Sequence, residues 1–245
     1  MGLLDSYKKN SMVKKAENKF KQGKYEESLE YYDKIISEID SDNIKAWYSK
    51  GVTLERMEEY REALNCFNKA IKLLDFEAPK SKISRAIKID PELTSAWYNK
   101  GVILGKLREH DKQLEAYDKV LELDPKYVNA WHNKGFTLSL LGKYNKAIES
   151  YNKVLEIAPE SADTWQNKGN TLLNLGKYDE AVESYENALK IDPNLINSWQ
   201  GKGIALSKLG KYEEAIKSFD YAIQIDPDDK DILNAKEDVL QLIKK

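Results

Sequence analysis

Cysteine occurs once in this chain, at Cys66, and histidine twice, at His110 and His132. The lone cysteine excludes an intramolecular disulfide, and it sits in an apolar helical pattern where a free thiol packs as a small hydrophobe, which suits a reducing compartment. The two histidines have no cysteine or histidine neighbours at ligand spacing, so a zinc site is not expected. No apolar run approaches the roughly 18 residues that span a bilayer, and the N-terminus lacks the apolar core of a signal peptide. A cytoplasmic location, with no membrane contact, is the expectation. An excess of charge of one sign is missing too: 39 basic and 41 acidic residues leave a net charge of −2. That balance gives no electrostatic reason for a nucleic-acid partner. There is no G-x-S-x-G, no Gly-rich phosphate loop and no dinucleotide fingerprint. No enzyme, catalytic residue, metal or cofactor is therefore expected.

What the chain does have is a period. Tryptophan stands at Trp47, Trp97, Trp131, Trp165 and Trp199, the last three each 34 residues after the one before. Such a period marks supersecondary units that stack because none can bury its apolar face alone. Four residues after each Trp comes a glycine (Gly51, Gly101, Gly135, Gly169, Gly203), and seven after comes a leucine (Leu54, Leu104, Leu138, Leu172, Leu206). At 100° per residue these lie on one stripe of a first helix, with glycine permitting close approach. Trp131 and Trp165 are then expected to be buried between helices, each Trp→Ala change costing about 3–5 kcal/mol. The turns Gly142-Lys143-Tyr144, Gly176-Lys177-Tyr178 and Gly210-Lys211-Tyr212 end that helix. A second helix follows, with Ala147 and Tyr151, Ala181, Tyr185 and Ala188, and Ala215, Phe219 and Ala222. It is closed by Pro125, Pro159, Pro193 and Pro227.

These residues resemble the tetratricopeptide repeat, W-x2-L-G-x2-Y…A-x3-F…P, over almost the whole chain. One departure is systematic: lysine replaces the leucine before the glycine, at Lys50, Lys100, Lys134, Lys168 and Lys202. The resulting Trp-x-Asn-Lys-Gly pattern is similar to archaeal members of the family. The resemblance implies an all-α, right-handed solenoid of helix-turn-helix repeats spanning 1–245 as a single array. Its repeats lie at about 8–41, 44–92, 94–127, 128–161, 162–195 and 196–228, with a capping helix at 229–244. In the first repeat Met12, Ala16, Gly23, Tyr25 and Tyr32 stand in for the later Trp, Gly, Gly, Tyr and Tyr. Trp47 to Trp97 is 50 residues, 34 plus an insertion of 16 near 74–89, in which Ala70-Ile71-Lys72 recurs as Ala86-Ile87-Lys88. Pro79 falls between the copies and predicts a helix break between 75 and 80, since proline inside a helix costs about 3 kcal/mol. The insertion reads as a surface extension or as a contact element.

In this family the first helices line a concave groove, which implies a protein or peptide partner. On the helix wheel, positions Trp−2, Trp+2, Trp+5 and Trp+9 point away from the partner helix. Trp+2 carries Asn99, Asn133 and Asn167 in successive repeats, amides able to pair with the N–H and C=O groups of an extended polypeptide. At about 0.5–1.5 kcal/mol per hydrogen bond, three amides fall short of the roughly 8 kcal/mol of micromolar binding, so apolar anchors are needed. Val102 and Phe136, at Trp+5, with Tyr98 and His132 at the edge and Asn129 and Asn170 beside them, complete the candidate partner-binding set. The alternative is that the asparagines bond between neighbouring helices and that Val102 and Phe136 pack repeat on repeat. The five lysines either cover apolar surface with their stems or form an anion-binding stripe. The asparagine row is similar to that of the O-linked N-acetylglucosamine transferases, whose catalytic domain is absent here. The Trp+1 residues Tyr48, Tyr98, His132, Gln166 and Gln200 do not match the chaperone-tail clamp. The reading is a scaffold that binds a partner polypeptide; weak self-association as a homo-oligomer, or a regulatory subunit of an enzyme on another chain, are the alternatives.

Overall fold

The computed structural model describes residues 3–77 and 91–244. Of the insertion expected near 74–89, residues from 78 onward lie outside the described residues; of the break predicted between 75 and 80, residues 75–77 are helical and the remainder, Pro79 included, lies outside the described residues. Among the described residues every regular element is a helix. They fall in two compact units, Met1–Pro125 and Lys126–Lys245.

The first unit holds α1 (Leu3–Lys21), α2 (Tyr25–Lys34, continued by a π turn, Ile35–Ile39), α3 (Ile44–Arg56), α4 (Tyr60–Glu77), α5 (Pro91–Lys106) and α6 (His110–Leu123). The second holds α7 (Val128–Leu140), α8 (Tyr144–Ile157), α9 (Ala162–Asn174), α10 (Tyr178–Ile191), α11 (Ile196–Lys208), α12 (Tyr212–Ile225) and α13 (Lys230–Ile243). Within each unit consecutive helices pack as antiparallel pairs, and the pairs stack on one another. This is an all-α tetratricopeptide-type solenoid.

Each first helix ends in a residue of positive φ, which lets two carbonyls of the last turn be satisfied by backbone N–H groups beyond it. Gly142 N–H donates to Ser139 at 3.0 Å and Lys143 N–H to Leu138 at 2.8 Å, and the same pair recurs at Gly176 and Gly210. Two repeats do this without glycine: Glu58 (φ 63°) and Arg108 (φ 59°) hold the left-handed conformation, with Glu59 and Glu109 closing the bond to Leu54 and Leu104 at 2.9 Å each. A side chain in that conformation costs about 1–2 kcal/mol.

The core of every later repeat is one aromatic ring of the second helix laid against the glycine of the first. Phe67, Tyr117, Tyr151, Tyr185 and Phe219 are each at most 1% exposed. A Cβ added at Gly51, Gly101, Gly135, Gly169 or Gly203 would stand 2.6–3.0 Å from the ring of Phe67, Tyr117, Tyr151, Tyr185 or Phe219 respectively. Ordinary contact needs about 3.5–4.0 Å. In the first repeat the buried pair is Ala16 and Tyr32.

The tryptophans are not in that core. Trp131 and Trp165 are half-buried, and the buried position is the residue before: Ala46, Ala96, Ala130, Thr164 and Ser198. Each indole instead seals the side of a repeat. Nε1 of Trp47, Trp165 and Trp199 donates to the carbonyl six residues earlier, at Ser41, Pro159 and Pro193, over 2.8–2.9 Å. The Trp+4 glycines and Trp+7 leucines of the expected stripe are buried, but the stripe takes in Trp−1 in place of Trp, because the indole's polar N–H needs a partner and, at Trp47, Trp165 and Trp199, finds it in the loop.

The packing and the turns together generate three stability predictions. In denaturant unfolding, Tyr185→Ala costs about 3–5 kcal/mol and exceeds Trp165→Ala, which costs about 1–3 kcal/mol. Gly169→Ala is destabilising by about 1–2 kcal/mol although alanine is the better helix former, because overpacking against Tyr185 outweighs propensity; a stabilised Gly169→Ala protein contradicts the contact. At the turns the sign reverses: Glu58→Gly and Arg108→Gly each raise stability by up to about 1 kcal/mol, the relief of the left-handed conformation less the entropy glycine loses. A lowered melting temperature for both variants contradicts that assignment.

Candidate functional site

The outward side chains of the first helices are those at Trp−2, Trp+5 and Trp+9. In the second unit they are Asn129, Asp163 and Asn197; Phe136, Asn170 and Ile204; and Leu140, Asn174 and Lys208. All are exposed except the half-buried Ile204. Phe136 is 56% and Leu140 63% exposed, one turn apart on α7. An aromatic and an aliphatic side chain left this open in a face otherwise mostly polar, with asparagine at four of its other seven positions, stand out against scattered surface hydrophobics. In the first unit Tyr98 and Val102 are half-buried, and the Tyr98 ring lies 6.1 Å from that of Tyr117.

The Trp+2 asparagines lie one layer deeper and are half-buried. Asn99 Nδ2 donates to the Tyr48 hydroxyl at 3.0 Å, bridging α5 to α3. Asn167 Nδ2 lies 3.0 Å from Nε2 of His132, bridging α9 to α7. Two of the three expected ladder residues are thus held between neighbouring first helices, with one end of each amide committed to that bond. The partner in each case is the Trp+1 residue of the preceding repeat. Gln166 extends the pattern, its Oε1 accepting from Ser198 Oγ at 2.9 Å.

His132 is the centre of the most connected group. Its Nδ1 is 3.3 Å from Thr164 Oγ1, which is 2.8 Å from Ser161 Oγ, and its ring meets Tyr151 edge-on at 6.0 Å between centroids. Burial pushes the imidazole below its ordinary value, against the opposing pull of the Asp163 carboxylate, so it is neutral at pH 7. Asn170, fully outward on α9, has its Oδ1 fixed by the Tyr185 hydroxyl at 2.7 Å. Thr164 and Tyr185 were not anticipated as part of this face. A polar residue at Trp−1, where earlier repeats have alanine, was the available signal for Thr164; Tyr185 gave none, since its ring position reads only as core.

The five lysines lie over the indoles of their own repeats, with Nζ 4.5–6.0 Å from the ring centroids. Lys50 also pairs with Asp33, and Lys202 with Glu186 at 2.8 Å. Burial lowers the basicity of Lys100 and Lys168. Their stems cover the indoles and their charge is spent locally. Among the described residues no group of three His, Cys, Asp or Glu is placed to hold a metal ion, and no helix is long and apolar enough to cross a membrane. Burial raises the Cys66 thiol to about 11, so it is no thiolate at neutral pH.

Comparison with known proteins agrees with the packing. The solved structure of YrrB, described as a TPR protein with an unusual peptide-binding site, is 20% identical, covers 84% of this chain and 97% of its own, and superposes with a TM-score of 0.68. A tetratricopeptide repeat protein from Parabacteroides merdae is 19% identical over 82% of this chain and 74% of its own, with a TM-score of 0.69. MamA from Desulfovibrio magneticus RS-1 is 20% identical over 76% and 97%, with a TM-score of 0.66. At these identities the likeness shows the fold. No curated protein matches the sequence. Tetratricopeptide repeat profiles match residues 44–74, 94–127, 128–161, 162–195 and 196–229, and a second profile of the same description matches 10–38. With matches over more than half its length, the chain belongs to the tetratricopeptide-repeat family.

Proposed function

We propose that this protein is a non-catalytic interaction scaffold whose first-helix face holds a segment of a partner polypeptide. The observation that carries the reading is the exposure of Phe136 and Leu140 beside the amides Asn129, Asn133, Asn167 and Asn170. The outward amides Asn129 and Asn170, with the half-buried Asn133 and Asn167 behind them, can pair with a backbone of any sequence, while Phe136 and Leu140 give an apolar side chain of the partner somewhere to bury. In the first unit the equivalent face offers Asn99 and Val102, with Tyr98 at its edge. The peptide-binding site described for YrrB supports the class of partner. Because Asn99 and Asn167 also tie helices together, they are poor probes of binding, and Phe136 is the clean one.

The test is a peptide selected from a random library on the immobilised protein, then titrated by calorimetry. Phe136→Ala leaves folding within about 0.5 kcal/mol, as expected of an exposed side chain. It weakens the selected peptide by about 10-fold or more. Equal affinity for wild type and for Phe136→Ala/Leu140→Ala, at unchanged helicity, removes this face as the binding site.

A further inference from the structure

His132 accepts where a protonated ring could only donate. In the structure the Asn167 amino group points at Nε2 from 3.0 Å, and Nδ1 lies 3.3 Å from Thr164 Oγ1. The neutral tautomer that satisfies both has its proton on Nδ1, donated to the threonine oxygen, and its lone pair on Nε2, taking a proton from the amide. The Asn167 carbonyl is then the end of the amide turned from the ring. A second proton from solvent on Nε2 would set N–H against N–H₂ at that distance. The contact is restored by rotating the amide half a turn, so that Oδ1 accepts from Nε2–H and the amino group faces outward. Thr164 needs no change, since it accepts from Nδ1–H in both states.

We infer that His132 is a positioning residue that sets which end of the Asn167 amide the proposed binding face presents: an acceptor when the ring is neutral, a donor when it is protonated. Within its unit the groups facing the ring are Tyr151 from α8, and Thr164, Asn167 and the Asp163 carboxylate from α9. Tyr151 is itself held neutral, its hydroxyl raised to about 12 by burial. The Asp163 carboxylate favours the protonated form. At the equivalent place in the first unit Asn99 meets Tyr48, a hydroxyl that can donate or accept and does not titrate near neutrality, so that amide has no such control. A partner that gives a backbone N–H to Asn167 at neutral pH loses that bond on acidification.

The consequence for binding rests on the groove reading above, but the amide rotation does not, and the two are scored separately. In the free wild-type protein, side-chain amide resonances of Asn167 followed by NMR from about pH 7.5 to about pH 5 move with the same midpoint as the His132 ring, below its ordinary 6.5. In His132→Gln they stay fixed over that range. Resonances of Asn167 that stay still while His132 titrates, or a His132 ring that does not titrate in the folded protein, overturn the inference. For a peptide whose binding depends on Phe136, affinity falls by roughly 3- to 10-fold between the same pH values in wild type and stays level in His132→Gln. A level wild-type profile beside a moving amide overturns the link to binding. A peptide indifferent to Phe136→Ala overturns the groove reading and not the rotation.

Discussion

The contact between a buried second-helix ring and a first-helix glycine is the constraint on which the rest of each repeat hangs. A ring of this size removes about 150–250 Å² from water, worth an upper bound of about 4–6 kcal/mol at 25 cal/mol per Å². It can do so only if the opposite backbone comes within reach, and a single methyl group at Gly101 or Gly169 would already stand 2.6–2.7 Å from the ring. Once the glycine faces the ring, the rotation of the first helix is fixed, and with it which residues turn outward. The stripe at Trp−2, Trp+5 and Trp+9 is therefore a by-product of the core. The closing helix α13 shows the complementary case: where the period would place this glycine stands Glu237, exposed, while Ile232 and Val239 pack inward.

Tryptophan has a different task from the one its size suggests. Half-buried and, at Trp47, Trp165 and Trp199, tied by Nε1 to the preceding loop, it fixes the entry of those first helices, and the lysine three residues on covers its outer face. A leucine at that position would bury about as much stem but would leave the π face without a cation. The five substitutions thus read as one structural device repeated, and the anion-binding stripe they could have formed loses its chemical basis, because the ammonium groups sit against indoles and, at Lys50 and Lys202, against carboxylates.

The fold was legible because its signal is a period, and a period survives ignorance of side-chain direction. The helix pairs, the turn glycines and the small residues of the second helices are all consequences of spacing. What spacing could not resolve was the edge of the buried stripe: the Trp+4 glycines and Trp+7 leucines are buried as expected, but taking Trp as the direction of burial placed Trp131 and Trp165 in the core, when Ala130 and Thr164 occupy it. Glu58 and Arg108 escaped notice for a related reason, since a left-handed turn was sought where glycine stood. At the candidate site the asparagine column was legible as a column, but its bonds were not. Whether an amide at Trp+2 points outward or sideways depends on the residue one position earlier on the neighbouring helix, a pairing that appears only when Tyr48 meets Asn99 and His132 meets Asn167.

That pairing changes what an asparagine row can do. An amide with both ends free adapts to either a donor or an acceptor, at the cost of ordering it on contact; an amide with one end already bonded presents a fixed polarity and loses less freedom when a partner arrives. On the proposed reading, Tyr48, His132 and Tyr185 act in this sense within their own units, orienting Asn99, Asn167 and Asn170 before a partner arrives. The bonds that hold first helix to first helix and the groups offered to a partner are therefore two ends of the same side chains. Stacking of the repeats and the chemistry of the face cannot be varied independently at these positions. Phe136 and Leu140 are less bound by this coupling, because more than half of each side chain is exposed, so on the proposed reading they are the positions at which partner preference can change at least cost to the fold.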